Sequence, residues 1–263
     1  MQRNIRLFLA IFKISMNHFT TYRLDALFNF IFTSGIWALL NVTSMYVIAI
    51  KAKTIFGWST GELILLSCIY NVFIGVFGFL FARGFNEFSE IVDTGKLDLF
   101  LLKPLDAQLY LSIHTLGVNY LVRTLIGIIL AMVTISTFQL NVTWIGVPLF
   151  VVTSFIGVFL LYSMLFGLNI FVMWAPRLDN VSELFYSLRS LGRYPRDSFR
   201  QLGEVGFVLL SPFVIILATP VKMLLGTASV YDFLELLIAA VVMFTITRLF
   251  WKFALRYYTS ASS

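Results

Sequence analysis

Long apolar runs alternate with short polar stretches along most of the chain. A transmembrane helix needs about 20 mostly apolar residues, and six segments meet that requirement. They are Leu27–Ile50, Leu63–Ala82, Tyr120–Phe138, Trp144–Trp174, Val205–Leu225 and Leu234–Trp251. The pattern therefore predicts an all-α polytopic membrane protein, with six transmembrane helices in one domain over residues 1–263.

The composition agrees, because hydrophobic residues make up 59% of the chain and charged residues only 12%. A soluble domain carries about 25% charged residues. With the N-terminus in the cytoplasm, sixteen Lys and Arg residues lie inside, Arg193 among them, and only Lys51, Lys53 and Lys222 lie outside. Short cytoplasmic loops are enriched in these residues, so we expect both termini in the cytoplasm.

The net charge of +6 suits contact with anionic membrane lipid on the cytoplasmic face. Nucleic acid is the poorer interpretation, because the basic residues are spread over separate loops without a recognisable binding module.

In residues 1–23, Ile5, Leu9, Phe12 and Met16 recur at helical spacing among polar residues, as in a helix that lies in the membrane interface. A plain cytoplasmic extension of the first span is the alternative.

The cytoplasmic loop over residues 83–116 carries a short charged helix. Helical spacing divides this helix into an apolar and an acidic face. The apolar positions are Phe88, Ile91 and Val92, and the acidic positions are Glu87, Glu90 and Asp93. We expect the helix to lie along the membrane surface with its acidic face toward a partner, and the loop to break near Gly95 and Pro104.

A second cytoplasmic loop, over residues 175–203, is predicted to hold a basic helix that ends near Gly192 and Pro195.

The fifth apolar segment contains Pro212 and Pro220, which kink helices. It is either a kinked, partly re-entrant segment or an ordinary proline-kinked helix. Polar side chains within the spans serve helix packing or line a pathway; the pathway candidates are Asn29, Asn41 and Asn71.

The chain has no P-loop motif for binding nucleotide phosphates. That motif ends in Gly-Lys followed by Ser or Thr, whereas Gly95-Lys96 is followed by Leu97. His18 and His114 are isolated in the sequence, so no metal site is expected. The spans also lack the ladder of mid-membrane ionisable groups that a proton-coupled carrier needs. We therefore expect no catalytic residue and no cofactor in the chain.

The layout resembles the permease subunits of ABC-2 type transporters, in which a cytoplasmic helix lies between the second and third of six spans. A bacterial group of these permeases carries Gly-x-Leu-Asp followed by Leu-Leu-Arg/Lys-Pro-Leu in this loop. Here the motif is Gly95, Leu97, Asp98, Leu101, Leu102, Lys103, Pro104 and Leu105. Further matches are Arg193-Tyr-Pro195, Pro220 with Leu224-Leu-Gly226, Tyr258 and Ser260.

The resemblance implies a bacterial inner-membrane exporter in which two permease chains, identical or paralogous, pair above two cytoplasmic ATPase subunits. The ATPase subunits would bind ATP and Mg²⁺, and Arg83–Asp93 would be the coupling helix that contacts them. Asn29, Asn41, Asn71, Pro212 and Pro220 would lie near the transport pathway. The aromatic fraction of 17%, with 28 Phe, suits an amphiphilic or lipid-like cargo. A channel, a secondary carrier and a membrane scaffold without an ATPase are the alternatives.

Overall fold

The computed structural model describes residues 9–17, 28, 34–52, 54–55, 57–174, 187, 190–194 and 203–258. This part of the chain is almost entirely helical, and its strands are two residues long. The predicted all-α fold is therefore confirmed. Ile5, Asn29 and nearly all of the predicted basic helix lie outside the described residues.

We label the described helices α1 to α10 in chain order. Their bounds are α1 at residues 9–17, α2 Trp37–Ala52, α3 Thr60–Phe77, α4 Arg83–Asp93, α5 Leu97–Leu101, α6 Ala107–Ile113, α7 Tyr120–Thr137, α8 Gly146–Asn169, α9 Gly203–Leu224 and α10 Val230–Tyr257. Strands β1 (Thr54–Ile55) and β2 (Trp58–Ser59) pair antiparallel between α2 and α3. A π-helical segment (Gly78–Ala82) follows α3, and 3₁₀ turns occupy Ile170–Met173 and Leu191–Arg193.

Five helical stretches in the described part of the chain are long and apolar enough to cross a membrane. They are Ser34–Lys51, Thr60–Asp93, Tyr120–Thr137, Gly146–Met173 and Val230–Tyr257. The predicted fifth span coincides with α9, whose side chains are described from Ser211 onward, so the count of six stays a prediction. Helix α9 continues through both Pro212 and Pro220, which favours a proline-containing helix over a re-entrant segment.

The spans run antiparallel, and short connections join them at one end of the bundle. There the Thr143 N–H donates to the Leu224 carbonyl at 3.3 Å, and Thr60 Oγ1 donates to the Ala49 carbonyl at 3.4 Å. We call this the hairpin end, and we call the opposite end, which carries α4 to α6, the loop end. In the predicted orientation the loop end faces the cytoplasm.

Helix α1 packs at the loop end, where the Leu116 N–H donates to Ser15 Oγ at 3.1 Å. Ile11 and Ser15 are buried, whereas Leu9 is 57% exposed. Helix α1 therefore packs on the protein through the face that carries Ile11 and Ser15, and the position of residues 1–23 in the membrane interface stays a prediction. Since α10 also runs from the hairpin end to the loop end, the described parts nearest both termini lie at the same end of the bundle.

An aromatic ladder joins the second span to α8 and α10. Its members repeat every three or four residues along α3 and α4, so they share one helix face. They are Phe77, Phe81, Phe85 and Phe88. Phe77 contacts Phe81, and the other three pack on Tyr162, Phe166 and Trp251. The ring centroids lie 4.8 Å apart for Phe81 and Tyr162 and 6.1 Å apart for Phe88 and Phe166. The ladder fixes the loop end of the second span against two other spans.

We expect Phe88→Ala to lower the unfolding temperature, because Phe88 is fully buried against Phe166 and Trp251. Such a truncation in a packed core costs about 3–5 kcal/mol. The matched control is Phe155→Ala, because Phe155 is 71% exposed on α8. Thermal unfolding in the same detergent measures both variants, and equal losses would contradict the packing role of Phe88.

Candidate functional site

The second span and the charged helix form one helical path of 34 residues, Thr60–Asp93. At 1.5 Å per residue this path is about 51 Å long, whereas the hydrocarbon core is about 30 Å thick. The predicted charged helix α4 is therefore continuous with the second span, and its course along the membrane surface stays a prediction. The backbone remains helical through Gly78–Ala82 in a π-helical segment, a feature that is frequent at functional sites.

The two predicted faces of α4 are confirmed. Phe88, Ile91 and Val92 are buried, and Glu90 and Asp93 are exposed. The apolar face packs on the protein through the aromatic ladder and not on the membrane surface. The helix therefore presents acidic side chains at the loop end, and its apolar face packs against the neighbouring spans.

Two of the acidic side chains have basic partners within the same loop. Glu87 Oε2 lies 2.8 Å from His114 Nε2 and accepts a hydrogen bond from Thr115 Oγ1 at 3.2 Å. Glu90 Oε1 accepts from Lys96 Nζ at 3.1 Å, and both of these side chains are more than half exposed. Glu87 thus ties α4 to the chain after α6, whereas Glu90 remains at the surface.

The turn after α4 requires a glycine. Gly95 has a φ of +69°, a left-handed conformation that costs other residues about 1–2 kcal/mol. The Gly95 N–H donates to the Val92 carbonyl at 3.1 Å, and the chain then enters α5, where Leu97 is fully buried and Asp98 is half-buried. The predicted break at Gly95 is confirmed, and it folds the loop motif back against the bundle.

The Lys103-Pro104 part of the motif lies at the surface of the loop end. Lys103 Nζ donates to Tyr110 Oη at 2.8 Å and lies 4.3 Å from the centroid of the Tyr110 ring. Pro104 comes after the end of α5 at Leu101, as predicted. These contacts hold the motif against α6 and leave its basic and proline residues accessible.

A group of polar side chains that sequence reasoning did not single out fastens α6 to two spans. Arg248 of α10 donates from Nη1 to Asp106 Oδ1 at 3.1 Å and to Gln108 Oε1 at 2.8 Å, and its Nη2 pairs with Asp106 Oδ2. Gln108 Nε2 donates to Tyr162 Oη of α8 at 3.3 Å, and Ser112 Oγ lies 3.2 Å from the same hydroxyl. We call these five residues the loop anchor.

Asp106 is the ionisable centre of the loop anchor. Burial raises the pKa of its carboxyl, but hydrogen bonds from Arg248 and from the Leu109 N–H, together with the Arg248 charge, outweigh that effect and lower the pKa from its ordinary value. The anchor is therefore ionised at neutral pH. The sequence signal was the position of Asp106 directly before a short helix, where a carboxylate caps the N-terminus.

A chain of polar contacts links two pathway candidates within the spans. Asn41 Oδ1 accepts from Arg193 Nη1 at 2.8 Å, and the Asn41 carbonyl accepts from Ser67 Oγ at 3.3 Å. Asn71 Nδ2 donates to the Ser67 carbonyl at 2.9 Å, and Asn71 Oδ1 accepts from Arg123 Nε at 2.9 Å. Arg193, which the sequence places in the second loop, thus contacts a residue of the first span through its guanidinium.

The remaining pathway candidates are less informative. Pro212 is half-buried and Pro220 is buried within α9, and Asn71 is fully buried. Asn41 and Asn71 thus position arginines, and a role in direct contact with cargo stays a prediction for both. Among the described residues, no group of three or more His, Cys, Asp and Glu side chains is arranged to hold a metal ion.

A family model described as "ABC-2 family transporter protein" matches residues 35–262. The chain belongs to this family. Comparisons with curated proteins and with solved structures give no match. The described spans, the α4 extension and the loop anchor are therefore parts of an ABC-2 membrane component of a transporter.

Within the loop anchor of this ABC-2 protein, Asp106 and Arg248 should be coupled in their effects on the free energy of unfolding. We expect Asp106→Asn and Arg248→Gln each to lower stability, and the double variant to lose about 1 kcal/mol less than the sum, because the pair is partly exposed. Thermal unfolding in detergent gives the three values. The control cycle pairs Asp106→Asn with Lys252→Gln, an exposed cation on the same helix, and additivity in both cycles would argue against the anchor.

Proposed function

We propose that this chain is the permease subunit of an ATP-driven exporter that moves an amphiphilic or lipid-like cargo. Two permease chains, identical or paralogous, pair in the bacterial inner membrane with both termini in the cytoplasm. Two cytoplasmic ATPase subunits bind ATP and Mg²⁺ and dock at the loop end. Membership of the ABC-2 family and the apolar helices of the described part of the chain support this proposal.

The observation that carries the proposal is the continuity of α4 with a membrane span. A force on α4 reaches α3 directly through the helical path Thr60–Asp93. It also reaches α8 and α10, because Phe88 packs on Phe166 and Trp251 and Arg248 holds Asp106. Close-packed interiors transmit strain, so displacement of this loop by an ATPase would reposition three spans together.

The docking surface that we propose is the exposed acidic edge of α4, with Glu90 and Asp93 at its centre. The contact between Glu90 and Lys96 does not oppose docking, because a surface ion pair contributes only about 0–1 kcal/mol. A basic group of an ATPase can therefore take the place of Lys96. Glu87 is better regarded as a structural residue of the loop, since its carboxylate holds His114 and Thr115.

The test is affinity purification of the chain in mild detergent, followed by mass spectrometry of the co-purifying chains. We expect an ATPase with a Walker loop to co-purify with the wild type. Glu90→Lys/Asp93→Lys should lower its recovery about tenfold or more, because like charges placed together at an interface cost several kcal/mol. The substitutions avoid Glu87, so the loop itself should remain folded.

The matched control places positive charges at the hairpin end with Asn141→Lys/Tyr231→Lys, two exposed positions. This variant should retain the ATPase at the wild-type level. Failure to recover any ATPase with the wild type would remove the energy source from the proposal and favour a channel or scaffold. Equal loss in both variants would refute the assignment of the docking surface to α4.

A further inference from the structure

The guanidinium of Arg193 lies at membrane depth, and the first span provides one measure of that depth. Arg193 binds Asn41, and the Asn41 carbonyl accepts a hydrogen bond from Ser67. Ser67 comes seven residues after Thr60, the first residue of α3 at the hairpin end, which places it about 10 Å below that end. The arginine is therefore far from the loop end to which its sequence position assigns it.

Helix α9 provides an independent measure. A Cβ on Gly192 would lie 2.7 Å from Leu217 Cδ1 and 2.8 Å from the Phe213 carbonyl oxygen, so the Leu191–Arg193 turn packs closely on this helix. Leu217 and Phe213 precede Leu224, at the hairpin end, by about 10 Å and about 16 Å along the helix. Both measures place Arg193 near the middle of a hydrocarbon core that is about 30 Å thick.

The described contacts of Arg193 hold its charge without neutralising it. Nη1 donates to the neutral amide oxygen of Asn41, and the guanidinium carbon lies 5.0 Å from the centroid of the Tyr194 ring. Nε is buried and has no hydrogen-bond partner among the residues that the structure describes. A charged side chain at this depth is costly, and such residues mark substrate or ion pathways.

We propose that Arg193, oriented by Asn41, binds the anionic headgroup of an amphiphile within the membrane. The guanidinium presents several N–H groups in a fixed plane, which suits the oxygens of a phosphate headgroup. A bound anion would satisfy Nε and neutralise the charge. The inference rests on the proposed permease function, and it adds the charge of the cargo and the residue that recognises it.

The surroundings of Asn41 favour an amphiphile over a free ion. Asn41 is half-buried and lies at the boundary between the two faces of α2. The buried face carries Ala38 and Met45, and the exposed face carries Trp37 and Leu40. An alkyl chain can therefore lie along the exposed apolar side of α2 while its headgroup reaches Arg193. A small hydrated anion would gain nothing from that apolar side.

The test is equilibrium binding to the full chain in dodecyl maltoside micelles, with dodecyl phosphate as the probe. We expect the wild type to bind dodecyl phosphate more tightly than dodecylphosphocholine, which has no net charge, and more tightly than inorganic phosphate, which has no tail. Arg193→Gln should weaken binding about tenfold or more, the loss expected for a charge-assisted hydrogen bond. Arg256→Gln, which removes an exposed arginine at the loop end, should leave binding unchanged.

Asn41→Asp separates binding from folding. This nearly isosteric change gives Arg193 an internal carboxylate, so the variant should unfold at the wild-type temperature or above it and yet lose binding of dodecyl phosphate. Wild-type affinity in Asn41→Asp or in Arg193→Gln would overturn the inference, as would no binding by the wild type. Equal affinity for inorganic phosphate would also overturn it, because the site would then recognise a free anion. These results measure binding alone, so the association with an ATPase is decided separately by co-purification.

Discussion

The packing of the second span's aromatic face on α8 and α10 is the interaction on which the loop end depends. Phe88 is the clearest member, because it is fully buried between Phe166 and Trp251. Lipid tails are as apolar as these rings, so burial from lipid provides little driving force, and close packing of the rings supplies the stability instead. This contact holds α4, which continues a span, against α8 and α10, and the turn at Gly95 follows directly from the end of α4.

Polar groups in the same bundle follow a second constraint, because low dielectric makes an unsatisfied polar group expensive. Asn71 satisfies this constraint by bonding Ser67 and Arg123 while fully buried. Arg193 satisfies it only in part, since its Nε has no partner in the described part of the chain. Asn71 is therefore a polar residue that stabilises helix packing. Arg193 differs, because its unused N–H donor can bind a ligand.

Local periodicity predicted several features correctly, because these features depend on interactions between residues that are close in the sequence. The faces of α4 follow from the spacing of Phe88, Ile91 and Glu90, and the turn at Gly95 follows from backbone sterics. Two other features depend on residues distant in sequence. The bond between Arg248 and Asp106 and the bond between Arg193 and Asn41 each join parts of the chain more than a hundred residues apart, and no local pattern contains such information.

The sequence by itself determined the membrane class, the apolar helices and the acidic edge at Glu90 and Asp93, because lipid permits backbone only in fully hydrogen-bonded form and helical spacing assigns the faces. Only the tertiary structure decided that α4 continues a span, that Asp106 is fastened to α10, and that the Arg193 guanidinium contacts Asn41 of the first span. The physical reason is that each of these charged side chains is held by partners from another helix, and that arrangement exists only after the bundle has packed.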